Sequence, residues 1–568
     1  MDDSFVKAPI NIPKLSGFDK SHQNLLTSKC GTITPILIDE LIPGSKVNLK
    51  LALSAQLPPL ASDTFMRCSI KCEAFFVPFR LLCASFESWF TDDFKRFSNY
   101  TNSSGNVVTT VAKKGMLPCI GNLSATDTDD AGAITAMTAV GSLFDYLGFK
   151  TGVSTWFSAS TGVVSAMPPL AYHRVYHDFY RNTLVQSDVF LPPTGSSTSS
   201  NGPSPYGYAP YAGSAPYQFF YAKSATDVGP DYLFSSKRSL QLADGSFLYD
   251  LRQRNFGLDY FTTSTPSPQQ GSPEVVTFGT SGSTGQFSIA ALRAANSLQQ
   301  FKERNNLAGN LFVEQCYARY GVSPSDGVAQ RSLYLGSAEY EVYTKGVYQQ
   351  TEDVNGSGPN SNNPFGNQVA AQFGSARASG NNTLVSNFEA KEPGYLLVNA
   401  TLVPRVTYST GIHRRFLNYR GDGSLADLAN PILQNVGPQP IYQNELNGSL
   451  SQNVFGYTDR YASFKTMEDE LHGLVRDGQS LQSFALQRSF ASNTTPQINA
   501  AYLRIPTDYM DQVLAVSSGV SGMSYWMDCY FDYKVAQPLA KYSLPSLQDP
   551  AYEHGRTIVV NKGGSRIS

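Results

Sequence analysis

The chain has 568 residues, only 15 % of them charged and 12 % aromatic, with 34 Phe, 32 Tyr, 46 Gly and 33 Pro. That balance excludes a coiled coil, a collagen-like chain and a charge-rich disordered protein, and it points to a turn-rich β-protein with long loops. With 43 Lys and Arg against 45 Asp and Glu the formal net charge is −2, so any grip on nucleic acid is local or supplied by a partner.

Along the chain, the opening MDDSFVKAPINIPKLSG has no cationic stretch followed by an apolar run. It reads as lacking a secretory leader, and no segment approaches the ~18 apolar residues of a membrane helix. Residues 1–45 are expected to form an N-terminal arm. The first clear period-two pattern is 46–57, where Val47, Leu49, Leu51, Leu53, Ala55 and Leu57 share a face opposite Lys46, Asn48 and Lys50. In 66–77, Met66, Cys68, Ile70, Cys72, Ala74 and Phe76 face one way, and Arg67, Ser69, Lys71 and Glu73 the other. Both read as antiparallel strands with one buried face. A helix is expected over 170–182, with Tyr172, Val175, Tyr176 and Phe179 on one side. The stretch 192–226 is rich in Pro, Gly, Ser and Tyr, and 192–247 is expected to project from the body, with 345–387 as the weaker candidate. A second helix over 287–305 carries Ile289, Leu292, Ala295, Leu298 and Phe301 at spacing three, with Ser288 as N-cap. A third, 309–320, should end at Gly321 in the left-handed conformation. Residues 345–387, rich in Gly, Asn and Ser, read as a second long loop. Alternation returns in 395–408 through Leu396, Val398, Ala400 and Leu402. It returns again in 523–535 through Met527, Cys529, Phe531, Tyr533 and Val535. Convincing strands near both ends favour one barrel over 46–535, in which 46–57 pairs antiparallel with 523–535. Residues 536–568 then form a C-terminal tail.

Motifs for chemistry are sparse. Seven cysteines, an odd number without Cys-x-x-Cys spacing, read as buried reduced thiols. Gly421-Asp-Gly423-Ser-Leu-Ala426 fits a dinucleotide fingerprint but lacks the preceding strand, so it reads as a turn. Asp127-Thr-Asp129-Asp-Ala-Gly132 opens like a calcium loop but has Thr138 at the twelfth position, so it reads as a polar loop. His173 and His177 are spaced to share a metal, with Asp178 adjacent, but the crowd of aromatics around them favours packing. No catalytic, cofactor or metal site is assigned. Three clusters interleave cations with aromatics in a way that suits single strands: Lys95, Arg96, Phe97 and Tyr100; Tyr249, Arg252, Arg254 and Phe256; His413, Arg414, Arg415, Phe416 and Tyr419. Salt-bridged surface turns give the same pattern. In the tail, Arg556, Lys562 and Arg566 sit among glycines with no acid after Glu553, and they are the candidate DNA-facing residues.

Six ordered stretches carry a family resemblance: CEAFFVPFRLL (72–82), DYFTTSTPSPQQG (259–271), LRAANSLQQFKERN (292–305), ARYGVSPSDGVAQRSLYLGS (318–337), NVGPQPIYQNEL (435–446) and VFGYTDRYASFK (454–465). The chain resembles the major capsid proteins of the Microviridae, most closely the gokushovirus branch of these small single-stranded DNA bacteriophages. The resemblance implies an eight-stranded viral jelly roll with long insertions. It implies self-assembly into a T=1 icosahedral shell around circular single-stranded DNA, in the virion, with no enzymatic activity and no cofactor. Implied partners are an internal scaffolding protein, a DNA-pilot minor protein and a small basic DNA-binding peptide. Protrusions at the threefold axes would meet a host cell surface receptor. Low charge with abundant Tyr and Phe suits large subunit contacts, and reduced cysteines suit assembly in a bacterial cytoplasm. The alternative class is a secreted carbohydrate-active β-protein with Tyr-rich sugar platforms, which would need a secretory route and a paired-carboxylate cleft.

Overall fold

Period-two alternation becomes two facing sheets. The structure, a computed structural model, describes residues 5–13, 15–62, 64–82, 86, 90, 100–101, 107–108, 117–158, 163–190, 233–234, 237–242, 244–274, 289–309, 311–349, 372–420, 437–450, 453–539 and 552–561. Its principal strands are β1 (Phe5–Pro13), β2 (Ser16–Asp19), β3 (His22–Ser28), β4 (Thr34–Leu41), β5 (Lys46–Gln56) and β6 (Cys68–Pro78). They continue with β7 (Leu333–Glu341), β8 (Tyr343–Gln349), β9 (Gln372–Glu389), β10 (Gly394–Pro404), β11 (Tyr525–Gln537) and β12 (Tyr552–Asn561). One sheet runs β7-β6-β10-β4. The other runs β8-β9-β5-β11, with β2 and β3 pairing in succession along the far edge of β11. Among the described residues, no strand pairing joins the two sheets into a closed barrel.

The expected pairing of the distant strands is present. β5 and β11 are antiparallel, with Val47 opposite Val535, Leu51 opposite Phe531 and Ala55 opposite Met527. Inward residues thus lie across from inward residues, and they enter one core with Ile70, Cys72 and Phe76 of β6 and Leu396 and Val398 of β10. The Tyr340 hydroxyl on β7 crosses this core to donate to the Leu51 carbonyl at 2.8 Å. Cys30, Cys68, Cys72 and Cys529 are buried free thiols, and burial pushes Cys68 and Cys529 up to about 12. Cys83 lies outside the described residues.

Residues 16–41, expected as part of an arm, instead supply β2, β3 and β4 to the two sheets. The long loop expected over 345–387 is likewise corrected. Its two ends form the β8–β9 hairpin, and β9 pairs along β5 despite Gly380, Asn381 and Asn382. Backbone pairing with a strong neighbour overrides weak strand propensity, and the register shifts near Val385 absorb the misfit. Residues 350–371 lie outside the described residues.

A second core covers the other face of the β7-β6-β10-β4 sheet. Phe75, Val77, Tyr395 and Leu397 pack there against α1 (Thr128–Thr138) and α2 (Met167–Val175), the latter continuing as a π turn to Tyr180. The Asp127–Gly132 stretch is a helix start and not a loop. The Asp127 carboxylate accepts the Asp129 N–H at 2.8 Å, and Ala133, Ile134 and Met137 give the helix a buried face. Expected helix 170–182 corresponds to α2 and its π turn, with Tyr172 donating to the Ile33 carbonyl at 2.7 Å. Helices α3 (Ile289–Ala308) and α4 (Phe312–Tyr320) match the two later expectations, and Gly321 closes α4 at φ +69°.

An ion pair joins the second core to the sheet. Glu73 on β6 accepts from Arg254 at 2.6 and 3.0 Å and from the Tyr180 hydroxyl at 2.5 Å, with both charged side chains at most one-fifth exposed. Removing one member strands the other charge, which costs about 3 kcal/mol. Glu73→Ala should therefore lower subunit stability by about that amount in urea unfolding, and adding Arg254→Leu should recover a substantial part of it. Equal losses in the single and double variants would refute the pairing as the cause.

Candidate functional site

The residues singled out for chemistry do not converge on one centre. His173 is fully buried. Its Nε2 lies 3.0 Å from the Leu248 carbonyl, and its Nδ1 accepts from Arg252 Nε at 2.9 Å. Burial and the Arg252 charge hold this imidazole well below its ordinary pKa, so it is neutral. His177 uses Nδ1 on Asp178 at 3.0 Å and Nε2 on Asp188 at 3.5 Å. Every ring nitrogen of the pair is thus engaged by protein. Asp178 is buried, and Arg174 at 3.0 Å, aided by His177 and the Ser332 N–H, holds its carboxyl well below the usual range against that desolvation. Gly421–Ala426 lies outside the described residues.

The basic–aromatic clusters resolve mainly into ion pairs. Arg252 bonds Asp244 at 2.5 Å, Arg254 bonds Glu73, and Phe256 is core. Arg414 is buried 3.3 Å from Glu445, and Arg415 reaches Glu470 at 3.1 Å. Lys95, Arg96 and Phe97 lie outside the described residues, as do Lys562 and Arg566. Arg556 falls in β12, opposite Ile10 of β1, so this part of the expected flexible tail is a paired strand. Regular pairing needs only extended backbone on both sides, which the run Thr557–Val560 of β-branched residues favours.

A cavity of about 320 Å³ lies beside a third, smaller core. Tyr260, Phe261 and Tyr408 supply its aromatic wall, while Arg414, Glu445 and Glu468 supply charge. Next to it Arg488 lies between the rings of Phe256 and Tyr502, at 4.4 and 4.0 Å from their centroids. Burial lifts the Glu445 carboxyl despite Arg414. The acidic run Glu468–Glu470 in this wall escaped sequence reasoning, because it carries no motif and its burial depends on residues 200 positions earlier, such as Asp259 and Tyr260.

The comparisons with known proteins decide what kind of molecule carries this geometry. The sequence model of the phage family described as capsid protein (F protein) matches residues 9–547. The chain belongs to that family. It is 24 % identical over 633 aligned positions to capsid protein VP1 of Chlamydia phage 1, covering 96 % of this chain and 98 % of that protein. It is 23 % identical to capsid protein VP1 of Bdellovibrio phage phiMH2K, over 96 % of this chain and 97 % of the relative. Capsid protein VP1 of Spiroplasma virus 4 is 24 % identical over 66 % of this chain and 63 % of its own length. The gokushovirus resemblance therefore stands, and the chain is a structural, non-enzymatic capsid protein of a virion.

One group in the cavity wall makes stability pH-dependent. Burial raises the Glu468 carboxyl to about 7, with the nearby Asp259 charge adding to the rise. Its unfolded value is near 4.5, so between these limits the folded chain holds a proton that the unfolded chain has released. The contribution is present at or below the lower limit and is lost as pH rises through the upper one. Glu468→Gln should thus raise the melting temperature near pH 8 and leave it unchanged near pH 5, measured on the same subunit preparation. An equal shift at both pH values would refute the assignment.

Proposed function

We propose that the chain is the major subunit of a T=1 icosahedral shell, built on an eight-stranded jelly roll and enclosing circular single-stranded DNA. The observation that supports the fold is strand order. Taking β3, β4, β5, β6, β7, β9, β10 and β11 as strands one to eight, the sheets read 6-3-8-1 and 5-4-7-2. Successive strands change sheets at every step but one, which is the interleaving of two Greek keys that defines a jelly roll. β8 then prolongs strand five across the corner into the opposite sheet, where it pairs with β9. On this reading the jelly-roll domain with its insertions, an N-terminal arm and a C-terminal tail make up the chain.

The near-zero net charge supports a shell that leaves most phosphate neutralisation to counterions and to a small basic DNA-binding peptide. An internal scaffolding protein and a DNA-pilot minor protein complete the assembly by the same resemblance. The host-facing protrusion, which would meet a host cell surface receptor, is assigned to 192–247, of which 192–232 lies outside the described residues.

Three-dimensional reconstruction of particles purified from a producing lysate tests this reading. One subunit per icosahedral asymmetric unit with the strand order above supports it, and a monomer acting on glycans would replace it. In the same particles, changing Arg556, Lys562 and Arg566 together to Gln should reduce DNA retention and its salt sensitivity while sparing empty-shell yield. A tail on the outer surface would remove that role. Brief protease treatment of intact particles should nick 192–247 while β5 and β6 stay protected, and protection of 192–247 would refute the protrusion.

A further inference from the structure

Among the described residues, two helices stand outside every core. The buried residues of α3 are Asn305 and Asn306, and α4 buries none. Their large apolar side chains face solvent: Ile289 is 68 % exposed, Leu307 54 %, Phe312 64 % and Tyr320 78 %. What fastens α3 to the body is polar, through Lys302 to Glu274 and Asn306 Nδ2 to the Ser267 carbonyl at 2.6 Å. Helices in proteins owe most of their stability to packing an apolar face, and the described residues of one copy provide this pair with almost none.

A second run of exposed apolar side chains lies in 464–481, where Phe464 is 52 % exposed, Met467 84 % and Leu474 57 %. The two surfaces differ in charge. Residues 289–320 contain four Lys or Arg against two Glu, whereas in 464–481 Asp469 and Glu470 are answered within the chain by Arg405 and Arg415, which leaves Asp477. Arg293, Arg304 and Asp477 have no ion-pair partner among the described residues.

We propose that α3 and α4 of one subunit dock onto residues 464–481 of a neighbouring copy in the shell. Ile289, Leu307 and Phe312 would then be covered by Phe464, Met467 and Leu474, with Arg293 and Arg304 toward Asp477. This contact rests on the shell reading above. A second copy fits better than DNA on two grounds. Phosphate would match the arginines but leave the aliphatic side chains wet, and it would offer nothing to Asp477. Whether the neighbour is related by a twofold or by a ring-forming rotation, the same two surfaces meet.

The test uses the full chain in producing cells. The double variants Ile289→Asp/Phe312→Asp and Met467→Asp/Leu474→Asp should each keep the wild-type circular dichroism and melting of the unassembled subunit, yet reduce shell yield by roughly tenfold or more. An amine-reactive cross-linker on shells co-assembled from light and heavy isotope-labelled subunits should join Lys302 of one label to Lys465 of the other. Wild-type shell yield from both variants, or cross-links confined to one label, would overturn the contact. Normal yield with loss of packaged DNA would reassign the face to nucleic acid and also overturn it. Absence of particles from the wild-type chain would overturn the shell reading together with the contact, so the two failures are distinguishable.

Discussion

The fold depends on burying both faces of the β7-β6-β10-β4 sheet. β10 shows it most clearly. Leu396, Val398, Ala400 and Leu402 point into the sandwich core, while Tyr395 and Leu397 point into the core beneath the helices. Where this sheet is covered on both faces a charge requires a partner of its own, whereas Lys71 and Glu339 at its open edge stay partly in water. Glu73 sits on the second face of β6, and the Arg254 and Tyr180 contacts answer that requirement. Gly394 answers a related one, since a side chain there would meet the Val77 carbonyl at 2.5 Å and the Phe76 ring at 2.7 Å. The inserted segments that carry α1 and α2 thus form a third layer on the sandwich.

This arrangement accounts for much of the unusual composition. Three cores in one chain consume a large stock of Phe and Tyr. The rings meet in edge and tilted contacts such as Phe79–Tyr395 at 4.7 Å and Phe455–Tyr502 at 4.8 Å. Few charges are needed, because those inside are matched in short pairs. The aromatic and aliphatic surface left over, concentrated on α3, α4 and 464–481, is what a shell-forming subunit has available for its neighbours.

The topology also constrains how the chain reaches this state. β5 pairs with β11 across nearly 500 residues, so the sandwich cannot be completed before the C-terminal part of the chain exists. Such non-local pairing is slow, and it leaves strand edges and apolar faces exposed in the meantime. Once the sandwich is complete, burial holds the Cys68 and Cys529 thiols protonated and therefore unreactive.

The sequence by itself determined which residues of β5, β6, β10 and β11 face inward, where α2, α3 and α4 lie, how Gly321 ends α4, and the capsid family. Each of these rests on local periodicity, on a backbone conformation that glycine adopts readily, or on ordered strings long enough to be specific. Only the tertiary structure decided that residues 16–41 belong to the sheets and that the Gly- and Asn-rich 372–389 is a strand. It also decided that Arg252, Arg254 and Arg414 are spent on internal acids, and that the apolar positions of α3 meet no core among the described residues. Periodicity says that a face is apolar but not what will cover it, and strand pairing takes its energy from a partner that can lie hundreds of residues away. Those are properties of contacts, and contacts are set by the whole chain.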